Sequence, residues 1–74
     1  MTVKLQNLTI AGRVYRHIKT GGLYQIICHG LMEADNTLCV VYCSVADGLI
    51  WIRPKAEFFD GRFELVEDES VYRP

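Results

Sequence analysis

The sequence predicts a mainly β fold: a small, strongly bent antiparallel sheet or an SH3-like barrel of four to five strands with one short helical turn, the alternative being an open sheet that closes by dimerisation. Three observations carry that reading. Short runs rich in β-branched and aromatic residues, such as Tyr24-Gln-Ile-Ile-Cys-His29 and Leu38-Cys-Val-Val-Tyr-Cys-Ser44, are separated by polar or glycine-containing clusters. Asp47-Gly48 sits between two such runs, and an Asp-Gly pair in that setting is a strong hairpin signal. Helical character is confined to one turn after Pro54, over Lys55-Ala-Glu-Phe-Phe59.

Taken in order, residues 1–12 alternate weakly, with Val3, Leu5, Leu8 and Ile10 among polar neighbours, and are read as an N-terminal arm or edge strand. Residues 13–66 form the β domain. Its first strand is Val14-Tyr-Arg-His17, closed by the conformationally permissive Lys19-Thr-Gly-Gly22. A longer strand follows from Tyr24 to Leu31, with Tyr24, Ile26 and Cys28 on one side and Gln25, Ile27 and His29 on the other. Gly30 marks a candidate bulge, and Glu33-Ala-Asp-Asn-Thr37 a turn into the central hairpin. With Asp47 and Gly48 as a two-residue type I′ turn, Val45 faces Ile50, Cys43 faces Ile52 and Tyr42 faces Arg53. That register puts Val41, Cys43, Val45, Ile50 and Ile52 on a core face, and Tyr42, Ser44, Trp51 and Arg53 on an amphipathic outer face. Arg62-Phe-Glu-Leu-Val66 reads as a last short strand, and residues 67–74 as an acidic tail expected to be mobile.

Composition narrows the function classes. A chain of 74 residues makes one domain, and with half of them apolar some apolar surface stays outside the core, which favours a homo-oligomer. A formal net charge of −1 makes double-stranded nucleic acid an unlikely partner, because binders of the phosphate backbone carry a strongly basic face. No long apolar segment opens the chain or reaches membrane-spanning length, so the reading is cytoplasmic with no membrane partner. The three cysteines, Cys28, Cys39 and Cys43, lie in apolar strand runs and read as buried reduced thiols.

Tyr15-Arg-His17 followed by a glycine turn and Leu23-Tyr24, then Val40-Val-Tyr42, Leu49-Ile-Trp-Ile-Arg-Pro54 and an aromatic at Phe58 or Phe59, together resemble the DUF1653 family of small bacterial and phage domains. The resemblance runs from about Gly12 to Phe63. It implies a compact β domain with shared Tyr15, Arg16, His17, Tyr24, Tyr42, Trp51 and Arg53, and it assigns no activity. Two positions depart from the pattern: Cys43 stands where similar members have a basic residue, and Ile18 replaces an aromatic.

Catalysis has little support in the residues. Cys28 and His29 are adjacent on a strand and point to opposite faces, so they form no nucleophile–base pair. Neither a paired-carboxylate nor a phosphate-loop signature is present, and the chain is read as a non-enzyme without cofactor. Metal ligation fails on distance, since Cys39 and Cys43 within one strand lie more than about 12 Å apart at roughly 3.3 Å per residue. Arg16, His17, Tyr42, Trp51 and Arg53 are therefore the candidate ligand-binding residues. Flat indole and phenol rings beside forked guanidinium donors suit a base and a phosphate. The expected function is capture of a small anionic nucleotide-like ligand, of which a phage sponge for a host immune signal is one biological form. The alternative is an SH3-like interaction module that docks a peptide or a single-stranded nucleic acid. Tyr42 and Trp51 also admit a bland role as a second packing cluster, with Arg53 covering them or pairing with Glu57.

Overall fold

The computed structural model describes residues 11–66. The readings of the arm before residue 11 and of the tail after residue 66 lie outside the described residues. Strand β1 spans Val14–His17, β2 Leu23–Leu31, β3 Leu38–Ser44 and β4 Ile50–Pro54; helix α1 spans Lys55–Phe58 and β5 Phe63–Leu65. They form one antiparallel five-stranded sheet in the order β4-β3-β2-β1-β5.

The sheet is open, neither closed into a barrel nor strongly curled, which overturns the expectation of a strongly bent or SH3-like barrel. The strands and the single helical turn are where the sequence puts them; the closure is not. β4 and β5 are the two edges, and no ladder joins them. β5 is only three residues long, and the segment that leads to it from β4 crosses a face of the sheet as α1. A side chain from that crossing, Phe58, is fully buried against Tyr42 and Phe63.

Two local features set the register. The β3–β4 connection is a four-residue loop over Val45–Gly48, closed by the Ser44 amide on the Leu49 carbonyl at 2.9 Å. Gly48 alone takes the left-handed conformation, with φ of 75°, while Asp47 keeps a negative φ and accepts the Leu49 amide at 3.0 Å through its side chain. The type I′ turn is thus replaced by a longer loop, and Tyr42 faces Trp51, Cys43 faces Ile50 and Val40 faces Arg53. The pairing has moved by two residues, so each side chain keeps its predicted companions on one face.

The second feature is a bulge in β2 between Ile26 and Cys28, earlier than Gly30. Ile26 pairs with Tyr42 but Cys28 pairs with Val41, so the extra residue Ile27 flips everything after it to the other side. His29 then joins Tyr24 and Ile26 on one face, and Cys28 moves to the opposite face, where it is exposed. Cys39 is buried and Cys43 half-buried, so the expected set of three buried thiols reduces to one.

The core lies on the face predicted to be the outer one. Ile26, Val40, Tyr42, Phe58 and Phe63 form it, with Tyr15 and Tyr24 packed alongside. Val40 and Phe58 are fully buried and Tyr42 is only 3% exposed, whereas Ile50 and Ile52 are 57% and 60% exposed. The two-residue register change cannot cause this inversion. α1 causes it, because it carries Phe58 onto the Tyr42 side and leaves the Ile50 and Ile52 side without that cover.

Candidate functional site

The covered face is a mosaic of rings. Phe58 of α1 stacks on Phe63 of β5, with centroids 4.2 Å apart and planes 9° from parallel. Tyr15 and Tyr42 meet Phe58 edge-on at 5.3 and 5.0 Å, and Tyr24, Tyr42 and His17 meet Phe63 at 5.9, 5.8 and 4.9 Å. Edge-to-face geometry of this kind adds about 0.5–1.5 kcal/mol per pair beyond the area buried. Most aromatic positions behind the family resemblance are therefore structural. Burial also raises the Tyr15 hydroxyl above its ordinary pKa, against an opposing pull from the Arg13 charge.

At the rim of this face the rings meet charge. Arg53 Nε donates to the Tyr42 hydroxyl at 3.2 Å, and the guanidinium carbon sits 5.8 Å from the Phe63 centroid, within cation–π range. Glu57, one helical turn later, approaches Arg53 loosely at 3.8 Å. Trp51 is the direct cross-strand partner of Tyr42 and lies on the same side of the sheet, yet it is 48% exposed. Among the described residues no aromatic ring packs against its indole. An exposed, unstacked indole next to a guanidinium pinned by a buried phenol is the feature of this rim that core packing does not explain.

The five sequence-derived residues divide. Tyr42, Trp51 and Arg53 come together as described. His17 is on the same side, with its ring edge-on to Phe63 at 4.9 Å, the ring that the Arg53 guanidinium approaches from 5.8 Å. The Thr20 amide donates to its Nδ1 at 3.4 Å, and because that amide can only donate, the proton of the neutral ring belongs on Nε2. Arg16 is separated from the rest: it alternates with Tyr15 and His17 along β1, so it occupies the opposite face, where it bonds Glu64 across the β1–β5 pair at 3.2 Å. An exposed pair of that kind contributes little to stability.

Other residues border the rim that sequence reasoning passed over. Arg62 grips Asp60 through two bonds of 3.0 and 2.8 Å, and this contact holds the Asp60 carboxyl below the usual carboxylate range. The charge of Glu57 acts on Arg62 and that of Arg53 on Asp60, so the two arginines share one neighbourhood. His17, Ile18, Lys19, Gly61 and Arg62 line an open depression of about 480 Å³. The Asp60-Gly61-Arg62 run carries a turn signal but nothing in it points to β4. Only the crossing of α1 brings it there.

His29 is the unusual polar group under the sheet. It pairs with Val40 on the covered face, and its buried Nε2 has no hydrogen-bond partner. Burial, with the Lys55 charge adding to it, lowers its pKa below the ordinary imidazole value. Acid therefore favours the unfolded chain, whose His29 takes up a proton near about pH 6.5 before the folded one does. Stability is full above that pH and is lost as pH falls through the lower folded value. The urea midpoint is expected to drop between about pH 7.5 and about pH 5.5, and His29→Gln to flatten the drop. Equal slopes in both proteins would assign the effect elsewhere.

Among the described residues no group of three His, Cys, Asp or Glu side chains is placed to hold a metal ion. No described helix is long and apolar enough to cross a membrane. Compared with known proteins, the chain matches one family model, DUF1653, described as a protein of unknown function, over residues 13–73. No curated protein and no solved structure matches it.

Proposed function

We propose that this chain, which belongs to the DUF1653 family of proteins of unknown function, is a non-enzymatic binding protein that captures a small anionic nucleotide-like molecule at the Trp51–Arg53 rim. The observation that carries this reading is the half-exposed, unstacked Trp51 indole on the same side of β4 as Arg53. A base lies flat on the indole, and a phosphate takes the guanidinium N–H groups that the Tyr42 contact through Nε leaves unused, displacing the loose approach of Glu57 at 3.8 Å. Tyr42 acts as the positioning residue, because its hydroxyl fixes the direction of Arg53. Arg62 supplies further positive charge, moderated by Asp60. Arg16 has no part in the site.

Trp51 is the chain's single tryptophan, so its fluorescence reports on this site alone. Titration with AMP, ADP-ribose and cyclic dinucleotides is expected to quench it and to raise the thermal midpoint. Arg53→Ala should weaken binding roughly tenfold or more, as loss of a charged hydrogen bond implies, while Arg16→Ala leaves it unchanged. The reading fails if no nucleotide alters the fluorescence, or if both substitutions weaken binding alike. A short single-stranded oligonucleotide that bound far better than any mononucleotide would point instead to a nucleic-acid module.

A further inference from the structure

We propose that the outer edge of β4 pairs with β4 of a second copy, antiparallel and about a two-fold axis at Trp51, so that two five-stranded sheets become one. The inference does not depend on the ligand reading.

The hydrogen-bond alternation of the β3–β4 ladder defines the edge. Ser44 and Leu49 form a hydrogen-bonded pair, so Trp51 and Arg53 also turn their backbone groups to β3, and Ile50 and Ile52 turn theirs outward. Pro54 shares the parity of Ile50 and Ile52. Its missing N–H therefore faces the free edge and removes no bond to β3. Among the described residues no strand occupies that edge. Soluble sheets blunt free edges with charge, bulges or cover, yet Ile50, Trp51 and Ile52 are 57%, 48% and 60% exposed here. The one charged residue within β4, Arg53, is turned to Tyr42 and Glu57.

Outward amides and carbonyls require an extended chain as the occupant, and a neutral apolar strip favours another neutral apolar strip. A second β4 supplies both. With the axis at Trp51, Ile50 of each copy opposes Ile52 of the other, and every outward N–H and C=O of those residues is satisfied. An axis at Ile52 would set Ile50 against Pro54, which has no N–H to give the Ile50 carbonyl. The chosen register also sets Arg53 opposite Leu49, which avoids a like-charge contact. It brings the two Trp51 residues together as a non-hydrogen-bonded pair, with Cα atoms about 4.5 Å apart, where cross-strand side chains interact most closely. Both indoles then stand on the same side of the joined sheet as both Arg53 side chains.

Sedimentation velocity of the intact chain over a dilution series, combined with amide hydrogen exchange and no nucleotide present, tests this. A reversible dimer is expected, with Ile50 and Ile52 amides more protected at high concentration, and Ile52→Lys is expected to sediment as a folded monomer. Three results would overturn the proposal: a wild-type monomer whose edge amides exchange freely, protection of those amides that ignores concentration, or a dimer that survives Ile52→Lys. The second of these would show that the edge is covered within one chain. If Ile52→Lys does not fold, the concentration dependence of the two wild-type amides still decides the matter.

Discussion

Phe58→Ala is expected to destabilise the domain by about 3–5 kcal/mol, the range for an aromatic removed from a closed core. Phe58 is fully buried, stacks on Phe63 and meets Tyr15, Tyr42 and Phe59 edge-on. Its loss opens a cavity and also releases α1, because a four-residue helix has no stability apart from what it packs against. Small domains are stable by only about 0.05–0.15 kcal/mol per residue, so most of the margin goes with this one ring. Urea unfolding followed by far-UV circular dichroism measures it. A loss under about 1 kcal/mol would mean that the sheet keeps its core without α1.

Val40→Lys is expected to abolish folding at room temperature, while Ile52→Lys leaves the domain folded. Both replace a β-branched residue in the central hairpin, on opposite faces. Val40 has no exposed surface and lies within the Ile26, Tyr42, Phe58 and Phe63 cluster, so an ammonium there loses its hydration with no described acidic partner. Ile52, 60% exposed, has room for a solvated lysine. Circular dichroism and the dispersion of amide resonances distinguish the outcomes. A folded Val40→Lys beside an unfolded Ile52→Lys would restore the face assignment that the sequence alone suggested.

That pair of substitutions separates what could be read from what could not. Alternation in Leu38–Ser44 and Ile50–Pro54 groups Tyr42, Trp51 and Arg53 on one side of the sheet and Cys43, Ile50 and Ile52 on the other, and the structure has both groups. Hydropathy then marks the isoleucine side as the interior, and there it misleads. Tyr42 and Trp51 look amphipathic in isolation, but Tyr42 is buried because Phe58 arrives from α1 and Phe63 from β5. The bland alternative for this face, aromatic packing with Arg53 tied to Glu57, describes Tyr42 and Arg53 correctly. Trp51 is the exception, for no described ring reaches it.

The same limit explains the barrel. Five strands, a glycine-assisted hairpin and a helical turn were all legible, and they fit a closed sheet as well as an open one. Closure depends on whether the edge strands find each other, which no local pattern encodes. β4 and β5 run parallel at opposite edges, so the chain between them has to cross a face of the sheet. Crossovers between parallel strands have a strong preferred hand, and that hand settles which face is covered. Arg62 and Asp60 reach the neighbourhood of Arg53 by this route, and so could not be grouped with it from spacing.

Local chemistry in the sequence determined where strands begin and end, that Gly48 turns the hairpin, which side chains of β3 and β4 share a face, and that Trp51 and Arg53 stand together. These properties depend on steric preferences and on a repeat of two, both contained in a few neighbouring residues. The tertiary structure alone decided which face is core, that the sheet stays open, that Arg16 leaves the candidate site, and that Arg62 borders it. Those outcomes follow from the order in which the strands pair and from the path of eight residues over a sheet. Both act through contacts between segments far apart in the chain, where periodicity carries no information.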